Sequence, residues 1–162
     1  MTTAIEHVAV SRVCEHLVAH HGATLTVVGV DERGYVDLAA LARSITPATC
    51  LVSVMLANNE TGCVQNLRAV VDIVRAQEPA VVVHTDAAQA VGKIEVDVAA
   101  LGVDLLSIAG HKLYAPKGVG ALYVRRGIEL RAIQFGANHE NDRFASFLFD
   151  VYFEDLKSRS YI

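Results

Sequence analysis

The chain has 162 residues, of which 52% are hydrophobic and 20% charged, and its formal net charge is -4. This length allows one domain with a sizeable core, and an acidic balance without a basic cluster argues against nucleic acid as a main partner. No apolar run reaches the roughly 20 residues of a membrane helix, and the first residues lack the charged start and apolar core of a signal peptide.

Helical and strand-like segments alternate through the first half of the chain. The spacing of apolar residues predicts helices over 5–21 and 37–44 and strands over 24–30 and 51–56. Asn66 is a candidate cap for the next helix. The apolar face of that helix then consists of Leu67, Val70, Val71 and Val74.

The second half continues the alternation. We expect a strand over 80–84, a short helix near 98–101 and strands over 104–108 and 120–125. Such a pattern predicts βαβ units, and therefore an α/β fold whose mostly parallel sheet is flanked by helices. The last strand follows too closely for a helical crossover, so it is the candidate for antiparallel pairing.

Two neighbouring strands carry polar residues where a buried strand has no structural use for them. Asp86 follows the apolar run over 80–84, and Lys112 follows the next strand after a turn of small residues. A lone lysine after a strand is more often simply solvated. A lysine can attack a carbonyl when burial beside a cationic or electron-withdrawing group lowers its pKa. Enzymes that use pyridoxal 5'-phosphate (PLP) pair such a lysine with a carboxylate that keeps the pyridine nitrogen protonated. Because the carboxyl ends of parallel strands share one edge of the sheet, Asp86 and Lys112 fit these two roles.

Several segments occur in an order and spacing that make a family resemblance specific. They are Leu56–Gly62, His84–Gln89 with Val91–Lys93, Val103–Lys112 and, after Tyr114, Pro116 and Lys117, Gly120–Arg126. Over about residues 3–140 the chain resembles the large-domain core of cysteine desulfurases and selenocysteine lyases, which are class V aminotransferase-like proteins. The resemblance implies the large-domain fold of the PLP-dependent transferases related to aspartate aminotransferase.

The resemblance also implies a role for each matching residue. Lys112 would form the Schiff base with PLP, Asp86 would pair with the pyridinium nitrogen, and His7 would stack on the ring, so that Lys112 and His7 are the catalytic residues. Gln89 and Asn59 would hydrogen-bond around the phenolic oxygen and the substrate side of the ring, and His111 would lie at the phosphate. Taken singly, a histidine at a helix start or an Asn-Asn pair in a turn is more often structural.

The chain departs from the family pattern in several places. Ala109 stands where the family commonly has a hydroxyl residue that holds the phosphate. The family's upstream glycine- and threonine-bearing segment and its downstream domain with the catalytic cysteine have no counterpart in these residues, so we expect an internal fragment of the large domain. Residues 1–140 would be the partial PLP-binding domain. Residues 141–162 would be a divergent aromatic-rich tail, either from truncation or rearrangement or as an aromatic cap, with Phe149, Tyr152, Phe153 and Leu156 on one side of a helix.

The three cysteines are scattered along the chain. Cys14, Cys50 and Cys63 form no zinc-like or disulfide-like spacing, and such a set fits a reducing cytoplasm. None matches the persulfide-forming cysteine of the family. Cys14 is expected in a helix and Cys50 at the head of a strand, so both are interpreted as structural. Cys63 is a candidate for a position near the pocket, but we do not expect it to replace the missing nucleophile.

Two other chemistries are disfavoured by their context. The glycines around Val119 precede a strand, whereas a dinucleotide loop follows one. His16 and His20 lie four apart on a helix, but Leu17 stands where a zinc protease has its catalytic base, so a solvated histidine face is the better interpretation.

The resemblance implies a PLP-dependent enzyme that removes sulfur from L-cysteine, leaving alanine and an enzyme-bound persulfide, and that works as a homodimer. A selenocysteine lyase acting on L-selenocysteine is an alternative. A second alternative is a non-catalytic truncated product that acts only by association. We expect this chain alone to have little or no activity, because the acceptor cysteine and one phosphate anchor are missing.

Overall fold

The computed structural model describes residues 1–130, in which short strands and helices alternate. The predicted boundary near residue 140 and the aromatic tail lie outside these residues. The strands are β1 (Thr2–Thr3), β2 (Val27–Val28), β3 (Leu51–Ser53), β4 (Val82–Asp86), β5 (Leu105–Ala109) and β6 (Gly120–Val124), the helices are α1 (Val8–His21), α2 (Leu38–Ser44), α3 (Leu67–Gln77) and α4 (Val98–Leu101), and a 3-10 turn spans Gly110–Lys112.

A four-stranded sheet in the order β3-β4-β5-β6 forms the centre of the described part. Strands β3, β4 and β5 pair in parallel, and β6 pairs antiparallel with β5. Parallel neighbours need long crossovers, here containing α3 and α4, whereas the shorter connection after β5 reverses the chain. The predicted α/β fold and its antiparallel last strand are confirmed.

A second, two-stranded parallel sheet joins β1 to β2. Of the strand predicted over 24–30, only the two residues of β2 pair in a sheet. Strand β1 was not predicted. Two residues are too few for a periodic pattern, and β1 exists only because its backbone meets β2 from a distant part of the chain.

Helix α1 begins later than the predicted residue 5, because His7 caps it. The His7 backbone is extended, and its Nδ1 accepts a hydrogen bond from the Ala9 N–H at 3.2 Å. Such a cap satisfies one of the N–H groups that a helix start leaves free. The helix ends at Gly22 with a φ of 66°. None of its residues is buried against the described part, and His16 and His20 lie exposed, as predicted.

Helix α3 follows its prediction closely. The Asn66 side chain accepts a hydrogen bond from the Ala69 N–H at 3.2 Å and so caps the helix. The four predicted apolar residues are all buried against the sheet core: Leu67, Val70, Val71 and Val74.

A buried carboxylate just before β5 ties several elements together. Asp104 accepts a hydrogen bond from the Val83 N–H of β4 at 2.7 Å and pairs with Arg75 of α3 and with Arg125 just after β6. Its side chain is only 1% exposed. Since a buried charge needs partners, these contacts hold helix and strands in register.

Residues 1–130 contain neither a membrane-spanning helix nor a cluster of metal-binding side chains. No helix there is both long and apolar enough to cross a membrane. The same residues contain no group of three or more histidine, cysteine, aspartate or glutamate side chains that could hold a metal ion.

Candidate functional site

A cleft of about 570 Å³ opens at the carboxyl ends of β3, β4 and β5. This is the edge where ligands bind in parallel α/β sheets. The structure brings together at this cleft all six residues to which the resemblance assigns roles: His7, Asn59, Asp86, Gln89, His111 and Lys112.

Asp86 contributes a carboxylate that has no counterion among the described residues. It is the last residue of β4, it is partly buried, and its Oδ1 accepts a hydrogen bond from the Ala88 N–H at 2.9 Å. Within residues 1–130 it forms no ion pair. Because an opposite charge strongly favours a partly buried carboxylate, this position suits a cationic ligand nitrogen.

The turn after β5 explains why small residues precede Lys112. A Cβ atom on the buried Gly110 would lie 2.7 Å from the carbonyl oxygen of Val119, which is closer than atoms can pack. The glycine therefore lets the turn pass close against the backbone before β6. The 3-10 turn that follows carries His111 and Lys112 to the cleft.

Lys112 is exposed, whereas the chemistry considered in the sequence favours a lysine that is buried. Its amine makes no hydrogen bond or ion pair with any residue in the described range. The neighbouring His111 is also exposed. The amine is therefore free to reach a ligand in the cleft, and the basic pair suits an anionic group such as a phosphate.

The loop after β3 places Asn59 at the cleft. Asn58 is buried, and its Oδ1 accepts hydrogen bonds from the N–H groups of Glu60 and Thr61 at 3.0 and 2.9 Å. This Asx-type turn fixes the loop, so that Asn59 is exposed to the cleft and donates to Glu60 Oε1 at 2.8 Å. The two asparagines thus differ in role: one builds the turn, and the other is presented to a ligand.

Gln89 lies in the turn that follows β4. Its Oε1 accepts a hydrogen bond from the Lys93 Nζ. A primary amide has two N–H donors besides its oxygen. Because Lys93 occupies the oxygen, Gln89 can present its amide nitrogen to an acceptor in the cleft.

Glu6 was not predicted as a site residue, yet it lies beside the cleft. Its Oε1 accepts hydrogen bonds from the Thr3 hydroxyl at 2.7 Å and the Met55 N–H at 2.8 Å, and its Oε2 is buried without a partner in the described range. Burial raises the pKa of Glu6 to about 7, against the effect of these hydrogen bonds, and the negative charge of Asp86 adds to the rise. No spacing pattern in the sequence could have shown this burial.

His84 also lines the cleft, although the sequence analysis assigned it no role. Its Nδ1 lies 2.8 Å from the Ser53 hydroxyl and its Nε2 lies 2.9 Å from the Ser107 hydroxyl. Burial lowers the pKa of His84, and the negative charge of Asp86 opposes part of that change. Its position two residues before Asp86 is a signal that could have found it, because alternate strand residues share a face.

The resemblance assigns the phosphate to the side of the cleft near His111, where Ala109 offers no hydroxyl. Ala109 lines the cleft with a methyl group, and Ser107 lies within β5, as predicted. Because the Ser107 hydroxyl is bonded to His84, it does not replace the missing anchor. The donor set therefore fits a PLP ring, through Asp86 and Lys112, better than it fits the phosphate.

None of the three cysteines lines the cleft. Cys14 lies in α1 and Cys50 directly precedes β3, as predicted, and all three thiols are free. Cys63, the cysteine expected near the pocket, instead accepts a hydrogen bond from the Gln65 amide at 3.4 Å. The described cleft thus holds no sulfur nucleophile of its own.

Comparison with known proteins agrees with this architecture. A family model for class-V aminotransferases matches residues 1–146. The chain is 44% identical over 145 residues to a cysteine desulfurase of Gluconacetobacter diazotrophicus, covering 90% of the chain and 36% of that protein. It is 50% identical over 131 residues to a probable mitochondrial cysteine desulfurase of Dictyostelium discoideum, covering 81% of the chain and 28% of that protein.

Solved structures of similar proteins also superpose on this chain. A NifS-like protein superposes with a TM-score of 0.83 at 40% identity, covering 87% of this chain and 38% of that one. A structure described as SspA in complex with cysteine superposes with a TM-score of 0.80 at 35% identity, covering 87% and 40%. The chain therefore spans about a third of the length of the curated relatives it matches.

Proposed function

Because the chain belongs to the class-V aminotransferase family, we propose that its cleft binds PLP as part of a cysteine desulfurase-like enzyme. One observation carries this proposal: the carboxylate of Asp86 and the amine of Lys112, neither of which forms an ion pair within residues 1–130, line the same cleft. When bound, PLP supplies an electron sink for bond cleavage at the substrate. The relatives named as cysteine desulfurases support this choice of chemistry.

Three residues carry the main roles in this proposal. Asp86 holds a proton at the ring nitrogen, since a carboxylate beside that nitrogen favours its charged form. Lys112 supplies the amine that attaches the cofactor through its aldehyde. His7, held at the start of α1 by its hydrogen bond to Ala9, covers one face of the ring.

Three more residues position the cofactor and substrate. Gln89 and Asn59 offer amide groups around the phenolic oxygen and the substrate side, and His111 approaches the phosphate. Their common place in the cleft supports these roles. With Ala109 in place of a hydroxyl residue, this chain holds the phosphate through fewer contacts than its family commonly uses.

We propose L-cysteine as the substrate, with L-selenocysteine as the alternative. A relative of known structure is described in complex with cysteine. Since none of the chain's three cysteines lines the described cleft, we propose that the persulfide acceptor is a cysteine that this chain does not supply. The chain alone is expected to release little or no sulfide from L-cysteine in the presence of PLP, and robust turnover would contradict the proposed lack of an acceptor. The three free thiols agree with a reducing, cytoplasmic setting.

A titration with PLP tests cofactor binding. The full chain is expected to develop a visible absorption band that Lys112→Ala abolishes. Lys117→Ala is the matched control, because Lys117 is an exposed lysine of the same loop that does not line the cleft. A band that survives in Lys112→Ala, or no band in the wild-type chain, would refute PLP attachment at this site.

Association without catalysis is a second candidate function, and one observation favours it. Helix α1 buries no residue in the described part and exposes Val8, Val13, Leu17 and Val18. Exposed apolar patches often mark interfaces. We propose that the chain forms a homodimer, and light scattering over a range of concentrations tests this; a monomer at all concentrations would count against it.

A further inference from the structure

His84 lies at the floor of the cleft, on the same face of the sheet as Asp86. In the parallel register His84 is opposite Ser53 of β3, and Asp86 is opposite Ser107 of β5. Val83, just before His84, and Thr85, between His84 and Asp86, are buried on the opposite face of the sheet. His84 therefore forms part of the surface that a ligand beside Asp86 would meet.

Both ring nitrogens of His84 have a partner. The Ser53 hydroxyl lies 2.8 Å from Nδ1 and the Ser107 hydroxyl 2.9 Å from Nε2, so the imidazole bridges β3, β4 and β5. A hydroxyl can both donate and accept, whereas a neutral imidazole has one donor and one acceptor nitrogen. The two serines therefore satisfy a neutral ring in either tautomer.

The charge of His84 matters because Asp86 is so near. Burial disfavours the imidazolium form and lowers the pKa of His84, although the charge of Asp86 opposes part of this. An imidazolium here would offset part of the negative charge that Asp86 presents to the cleft. The other titratable groups of the described residues around the cleft are Glu6, from the segment before α1, Glu60, from the loop after β3, and His7, His111 and Lys112.

We infer that His84 is a positioning residue for Asp86. Held between Ser53 and Ser107, it supplies an uncharged polar floor beside the carboxylate. The Asp86 carboxylate therefore meets no competing cation from His84 and can pair with the cationic nitrogen of a ligand. This inference rests on the proposed binding of PLP.

The test uses the full chain and three variants. His84→Phe keeps a ring but removes both nitrogens, and His84→Gln restores one donor and one acceptor. The double variant Ser53→Ala with Ser107→Ala keeps the imidazole and removes both partners, and it replaces His84→Phe if that variant fails to fold. Two readouts apply: the ¹⁵N chemical shifts of the His84 ring without PLP, and the PLP affinity from the Lys112-dependent band.

We expect the His84 ring to be neutral at pH 7. We also expect His84→Phe, or the double variant, to bind PLP about tenfold more weakly, whereas His84→Gln stays within about threefold of wild type. A purely structural role would lower stability and leave the affinity of the folded variant unchanged. The affinity therefore separates the two roles.

The possible failures are distinguishable. An imidazolium at pH 7, or a His84→Phe chain that binds PLP as tightly as wild type, overturns the inference and leaves the proposed function standing. If the wild-type chain itself shows no Lys112-dependent band, the proposed function fails, and the inference fails with it.

Discussion

Replacing Glu6 by glutamine is expected to remove a pH-dependent cost from folding. Burial raises the pKa of Glu6 from 4.5 to about 7 in the folded chain. Between these values the folded chain binds more protons than the unfolded chain, so the free energy of unfolding falls as the pH rises through this window. At about 1.4 kcal/mol for each pH unit, the cost is absent below pH 4.5 and reaches about 3 kcal/mol above pH 7.

Urea unfolding of wild type and Glu6→Gln from about pH 5 to about pH 8 measures this cost. Glutamine cannot ionise, but its oxygen can still accept the hydrogen bonds of Thr3 and Met55. The advantage of the variant over wild type should therefore grow by about 2.5 kcal/mol across this pH range. Glu32→Gln removes the same charge from an exposed residue and should show no such growth. A Glu6→Gln difference that does not change with pH would refute the reasoning.

Two other substitutions test what holds the site in place. Asp104→Ala should lower the free energy of unfolding by about 3 kcal/mol, because it removes the only carboxylate that pairs with the mostly buried Arg75 within residues 1–130. Arg125→Ala should cost less, because that side chain is 46% exposed. Equal costs in urea unfolding would contradict this. Gly110→Ala should cost about 1–3 kcal/mol, because its Cβ would lie 2.7 Å from the Val119 oxygen, and should weaken the Lys112-dependent PLP band. An unchanged PLP band and an unchanged melting temperature would contradict the steric conflict between this Cβ and the Val119 oxygen.

Local patterns were enough to predict much of the fold. The cap and buried face of α3 could be predicted because both depend on residues within a few positions of one another. The antiparallel β6 followed from the length of the connection before it. The start of α1 was placed too early, because the capping hydrogen bond of His7 has no reliable signal in the sequence.

The sequence by itself determined the alternation of helices and strands and the chemistry of the residues at the strand ends, because side-chain periodicity and residue type are local properties. It therefore predicted Asp86 and Lys112 as a pair. Only the tertiary structure decided that His84 bridges Ser53 and Ser107 and that the carboxyl of Glu6 is buried beside Asp86. Burial and charge proximity arise between segments tens of residues apart, so the protonation states of the cleft are a property of the fold.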